Sequence, residues 1–60
     1  MIYYKIGDRV RVIQVPLGSK KIKKGDEGVI KELISAHVYK IKLDSGISAD
    51  LIDQQFEKVV

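Results

Sequence analysis

His37-Val38-Tyr39-Lys40-Ile41-Lys42-Leu43, followed by Asp44-Ser45-Gly46, is the stretch that decides the fold class. Tyr39, Ile41 and Leu43 alternate with Lys40 and Lys42, the two-residue period of a strand with one face in a core and the other in water. Asp44-Ser45-Gly46 predicts a hairpin turn with glycine where a positive φ is needed, leading into a short strand at Ile47-Ser48-Ala49.

Upstream, Arg9-Val10-Arg11-Val12-Ile13-Gln14-Val15 alternates in the same way, with Val10 and Val12 on one face and Arg9 and Arg11 on the other, and Pro16 ends it. Residues 16–26 form a long basic loop in which Ile22, the only apolar residue between Gly18 and Gly25, is expected to pin the loop to the core. Glu27 to Ile34 reads as another strand, Val29 and Leu33 falling on one face and Ile30 and Ile34 on the other. A bulge near glycine would let such a strand curve and bury each face in turn. Ser35-Ala36 connects it to the strand at His37. Gly7-Asp8 and Gly25-Asp26 echo one another, each starting a strand.

Downstream, Asp50-Leu51-Ile52-Asp53-Gln54-Gln55 is too short for a stable helix and predicts one helical or 3₁₀ turn, after which Phe56-Glu57-Lys58-Val59 closes the sheet. The alternative is a C-terminal helix over 49–58, from the partly helical spacing of Ala49, Leu51, Ile52 and Phe56. The expectation is an all-β, five-stranded domain with Val10, Val12, Val29, Tyr39, Ile41 and Phe56 enclosed.

Sixty residues make a single domain, 1–60, because so short a chain buries only about 60% of the surface it exposes when unfolded. With no cysteine and only His37, neither a disulfide framework nor a zinc site is expected, and apolar packing must hold the fold. No basic segment followed by an apolar run opens the chain, and no run approaches a membrane span, so the expectation is a cytoplasmic protein that does not engage a membrane. The formal charge of +3 is uneven: residues 1–31 carry +5 and residues 32–60 carry −2, which points to an anionic partner.

Five short strands, a long loop after the first, and a single helical turn before the last together resemble the Src-homology-3-like (SH3-like) small barrel. Within that group Lys24-Gly25-Asp26-Glu27-Gly28-Val29-Ile30 is similar to the KOW motif of ribosomal proteins and transcription elongation factors, with Gly28 as its glycine. Gly7-Asp8-Arg9-Val10-Arg11-Val12 and the segments Ser45-Gly46-Ile47 and Phe56-Glu57-Lys58-Val59-Val60 also resemble the small accessory barrel protein of photosystem I. The resemblance implies a binding module, since barrels of this kind bind RNA, DNA or proteins. Four aromatic residues, Tyr3, Tyr4, Tyr39 and Phe56, are too few to line a groove for proline-rich peptides.

Lys20, Lys21, Lys23 and Lys24 on the loop, with Arg9 and Arg11 on the outer face of the first strand, are the candidate nucleic-acid-binding residues. Such cations neutralise phosphates without reading sequence, and solvation of an exposed loop is the competing role for the lysines. Tyr3 and Tyr4 are expected to cover one end of the core, with base stacking as their alternative use. No catalytic residues, metal or cofactor are expected. One histidine and four scattered serines form no nucleophile–base pair, turn formation and capping explain Asp44 and Asp50, and Gly25-Asp26-Glu27-Gly28 lacks the ending of a phosphate-cradling loop. A weak nucleic-acid-binding module (RNA or DNA) is the first functional expectation. A protein–protein adaptor or inhibitor that offers a sheet edge to an acidic partner is the second, and self-association through Val38, Ile13 or Ile30 the third.

Overall fold

The computed structural model describes residues 4–59, so Tyr3 and Val60 lie outside the described residues. The fold is all-β: β1 (Arg9–Val12), β2 (Glu27–Leu33), β3 (Val38–Leu43), β4 (Ser48–Ile52) and β5 (Phe56–Lys58) make one antiparallel sheet. Their order in space is β4-β3-β2-β1-β5, so the edge strands are consecutive in the chain. A flat sheet would hold those edges about 19 Å apart, four strand spacings of ~4.8 Å. Ile52 and Phe56, however, are joined by four Cα steps, at most about 15 Å. The sheet must therefore curl, and Leu51 of β4 and Phe56 of β5 meet in one core. β4 and β5 do not pair, so the sheet stays open.

Val10, Val12, Ile30, Tyr39, Ile41, Leu43, Leu51 and Phe56 are buried, with Tyr4, Val15, Ile22, Ile47 and Ala49 packed around them. Five of the six residues expected inside are there. Val29 is the exception: it lies opposite Arg9 and Lys42 on the outer face, and Ile30 takes the interior place opposite Ile41. The β2–β3 register shifts between Ile30 and Glu32, which makes Lys31 the extra residue of a bulge. The bulge changes the pairing parity of β2 at Lys31 rather than beside a glycine, but Lys31, Glu32 and Leu33 are all exposed, so only the face carrying Gly28 and Ile30 is buried and the expected burial of the second face does not occur. Ile30, one of the residues considered for self-association, is fully buried.

The C-terminal third corrects the expected helical or 3₁₀ turn. Residues 50–52 continue β4, with Leu51 and Ile52 opposite Tyr39 and Val38, because Leu51 fills the core only if the backbone stays extended. The turn is confined to Asp53, Gln54 and Gln55. The Gln55 amide donates to the Ile52 carbonyl at 2.9 Å, while the Gln55 side-chain oxygen accepts the Ile52 amide at 3.1 Å. A helix over 49–58 is likewise ruled out by β4 and β5. β1 stops at Val12, short of Pro16.

Gly46 has the expected positive φ, and its amide closes the Asp44-Ser45-Gly46 turn on the Leu43 carbonyl at 2.8 Å. Gly28 is needed for a different reason. It has no positive φ, but a Cβ there would overlap the Lys42 carbonyl and sit 2.7 Å from the Leu43 Cα. Backbone at this crossing is too close for any side chain.

The echo of Gly7-Asp8 and Gly25-Asp26 is a structural repeat. Gly7 donates to the Ile30 carbonyl and Ile30 to the Asp8 carbonyl, at 2.9 and 3.0 Å; Gly25 donates to the Val12 carbonyl and Val12 to the Asp26 carbonyl, both at 2.7 Å. A local two-fold through the Val10–Gly28 pair relates the two sets, so one turn design starts both β1 and β2 from opposite ends of their ladder.

Candidate functional site

The loop between β1 and β2 is tied at both ends. Val15 and Ile22 pack on the core, as expected for Ile22, and the turn at Lys23-Lys24-Gly25-Asp26 is closed by the Asp26 carboxylate accepting the Lys23 amide at 2.9 Å. Between these anchors Lys20, Lys21, Lys23 and Lys24 are exposed, and among the described residues none of them forms an ion pair. The four lysines less Asp26 give residues 16–26 a charge of +3, and the other seven cations and seven carboxylates of the chain cancel. All of the net charge therefore sits on this loop.

Arg9 and Arg11 lie on the outer face of β1, as alternation requires, but neither is unpaired. Arg9 binds Asp44 with both terminal nitrogens, and its Nε lies 3.3 Å from Glu27. Arg11 reaches Glu27 at 3.3 Å and Glu57 at 3.4 Å. The register accounts for this: Arg11 stands between Glu57 of β5 and Glu27 of β2, and the Asp44 amide bonds the Glu27 carbonyl. Hydrogen bonding and charge from Asp44 raise the Arg9 guanidinium above its ordinary pKa, with desolvation acting the other way and Glu27 adding to the rise. Two arginines among three carboxylates leave this face with no cationic excess, so the two halves of the candidate set are not equivalent. Sequence reasoning missed Glu27, Asp44 and Glu57 as partners of the arginines. Their charge was legible, but the groups they pair with are 16, 35 and 46 positions away in the chain.

The remaining polar candidates are dispersed. Asp44 serves Arg9, the Asp53 carboxylate lies 3.0 Å from His37 Nδ1, and Asp50 lies on the outer face of β4 opposite Lys40. Among the described residues no three His, Asp or Glu side chains converge as metal ligands, and no helix is long and apolar enough to cross a membrane. Tyr4 packs against the core, its ring 4.8 Å from Phe56 and 5.5 Å from Tyr39, as expected of a cover on one end of the core. Burial, then the charges of Asp53, Tyr39 and Glu57, push its phenol above its ordinary pKa.

Beside the loop runs an open groove of about 490 Å³. Pro16, Ile22, Ile47 and Ala49 supply apolar lining, and Lys20 and Lys21 line it from the loop. Ser48 and Asp50 of β4 line its other side. No family model matches the chain, and comparison with curated proteins and with solved structures finds no significant match, so the site is defined by its own geometry.

Proposed function

We propose that this chain is a non-catalytic binding module, an SH3-like barrel related in pattern to KOW domains, that holds the backbone of a nucleic acid on the lysines of residues 16–26. The observation that supports this is that residues 16–26 carry a charge equal to the whole net charge of +3, and that their four lysines have no carboxylate partner among the described residues. Such a surface binds by releasing counterions from phosphates, and it carries no base-reading groups, so the binding is weak and indifferent to sequence. Arg9 and Arg11 contribute little, because a phosphate would have to displace Asp44, Glu27 or Glu57. A cytoplasmic setting goes with this reading, the fold using no disulfide.

Amide-shift titration against single-stranded RNA, duplex DNA and heparin tests it. Shifts should centre on residues 20–24, and replacing the four lysines by alanine should weaken binding to every sequence. The slope of log K against log salt should fall by about 0.9 for each duplex phosphate no longer neutralised, or about 0.7 for a single strand. Absence of any shift with RNA or DNA at low salt would remove the nucleic-acid reading.

A second reading, a module for an acidic protein partner, is favoured by one separate observation: β4 is an uncovered sheet edge lying along the groove that Lys20 and Lys21 border.

A further inference from the structure

The β3–β4 ladder determines which backbone groups of β4 are left over. Leu43 donates to the Ile47 carbonyl at 2.8 Å, and Asp53 to the His37 carbonyl at 3.0 Å, and both pairs belong to the register in which Ala49 faces Ile41 and Leu51 faces Tyr39. In an antiparallel ladder the bonded pairs recur every second residue. Ile47, Ala49 and Leu51 therefore turn their amides and carbonyls toward β3, while Ser48, Asp50 and Ile52 turn theirs away from it. The outward groups of Ile52 are taken by Gln55, whose side chain accepts the Ile52 amide and whose own amide donates to the Ile52 carbonyl. Among the described residues no hydrogen bond from outside the ladder reaches the backbone of Ser48 or Asp50. Two N–H and two C=O groups, at the spacing of a strand repeat, thus face the groove that these two residues line.

We propose that this groove is a strand-addition site for an extended acidic peptide. The peptide pairs its backbone with Ser48 and Asp50, places alternate apolar side chains over Ile22, Ile47 and Ala49, and directs its carboxylates to Lys20 and Lys21. Charge complementarity selects this occupant: Lys20 and Lys21 have no carboxylate partner among the described residues, and they outnumber Asp50, the one carboxylate among the residues lining the groove. The sheet edge selects a peptide over a nucleic acid, because a row of alternating backbone donors and acceptors matches another strand and the groove presents no aromatic ring for a base. The inference rests on the second reading above and stands apart from the nucleic-acid one.

The test uses a terminally blocked hexapeptide alternating aspartate with valine, and its lysine–valine counterpart, titrated into the full chain. The acidic peptide should shift the Ser48, Ala49 and Asp50 amides together with Lys20 and Lys21, and slow hydrogen exchange at the Ser48 and Asp50 amides; the basic peptide should do neither. Because those two amides point away from β3, Ser48→Pro or Asp50→Pro removes an edge donor and leaves the β3 ladder intact. Ser48→Pro, and Asp50→Pro relative to Asp50→Asn, should each weaken the acidic peptide about tenfold, the size expected of one lost hydrogen bond and its stranded partner, with oligonucleotide binding unchanged within each comparison. Peptide shifts confined to the lysines, unprotected Ser48 and Asp50 amides, or full peptide affinity in both proline variants would each overturn the proposal. The exchange measurement on the unaltered chain decides it even if the proline variants do not fold. A chain that takes the peptide and no oligonucleotide loses the nucleic-acid reading and keeps this one.

Discussion

Asp8 and Asp26 hold equivalent positions at opposite ends of the β1–β2 ladder: each carboxylate accepts the amide of the residue three before it, Lys5 at 3.0 Å and Lys23 at 2.9 Å. Each also donates its own amide back to that residue's carbonyl, at 3.0 and 3.1 Å, around a glycine with φ of 99°. The Lys-X-Gly-Asp turn is thus closed twice over, and at Asp26 the closure sets where the basic loop rejoins the sheet.

Asp26→Ala should destabilise the fold by about 1 kcal/mol, the net worth of one such hydrogen bond, while Asp26→Asn, which keeps an acceptor oxygen, should recover most of it. Urea titrations of the three proteins check this. Amide shifts in the alanine variant should spread through residues 20–24, since the Lys23 amide has lost its partner.

Gly28→Ala should be the most damaging of the glycine-to-alanine substitutions. The new methyl meets backbone of Lys42 and Leu43, which cannot move without opening β2 from β3, so a cost of about 3 kcal/mol or more is expected. A domain of this length has only about 3–9 kcal/mol in total, so a largely unfolded spectrum would be no surprise. Gly25→Ala meets nothing within 4 Å and suffers only from its φ of 99°, at about 1 kcal/mol. Thermal melts of the pair should rank them in that order, and equal midpoints would contradict the close-approach account.

Replacing both Arg9 and Arg11 by glutamine should leave nucleic-acid affinity and its salt slope close to those of the unaltered chain, because their charge is already spent on Glu27, Asp44 and Glu57. The converse variant, Glu27→Gln with Asp44→Asn and Glu57→Gln, raises the formal charge by three and unmasks the arginines, so its affinity should rise and its salt slope steepen. Filter binding at two salt concentrations reads both. Arginine variants that lose as much affinity as the four-lysine variant would show that phosphates do displace those carboxylates.

Tyr4 should make the fold less stable in alkali. Its pKa is raised above the ordinary value of 10.0, by desolvation first and by the charges of Asp53, Tyr39 and Glu57 after it. As pH rises past that ordinary value the unfolded chain gives up the phenolic proton before the folded chain does, so stability present below about pH 10 is lost as pH rises through the folded pKa. Between about pH 9 and about pH 11 the denaturant midpoint should therefore fall further for the unaltered chain than for Tyr4→Phe. An equal fall in both would show that Tyr4 does not carry the alkaline loss.

Sequence alone determined what depends on near neighbours. Alternation at Val10–Val12 and Tyr39–Ile41–Leu43 specified strands and their inward faces, Gly46 specified its turn, and Ile22 was recognisable as the apolar anchor of a lysine loop. Tertiary structure alone decided what depends on register between distant segments. Pairing of Gly28 with Val10 and of Ile30 with Ile41 put Ile30 inside and left Val29 outside between Arg9 and Lys42, and the demand of the core for Leu51 kept residues 50–52 extended. Cross-strand pairing brought Glu27, Asp44 and Glu57 onto the arginines and left the lysines as the site of the excess charge. A period of two is written in consecutive side chains, whereas a strand's partner, and the charge standing opposite it, exist only once the chain has closed on itself.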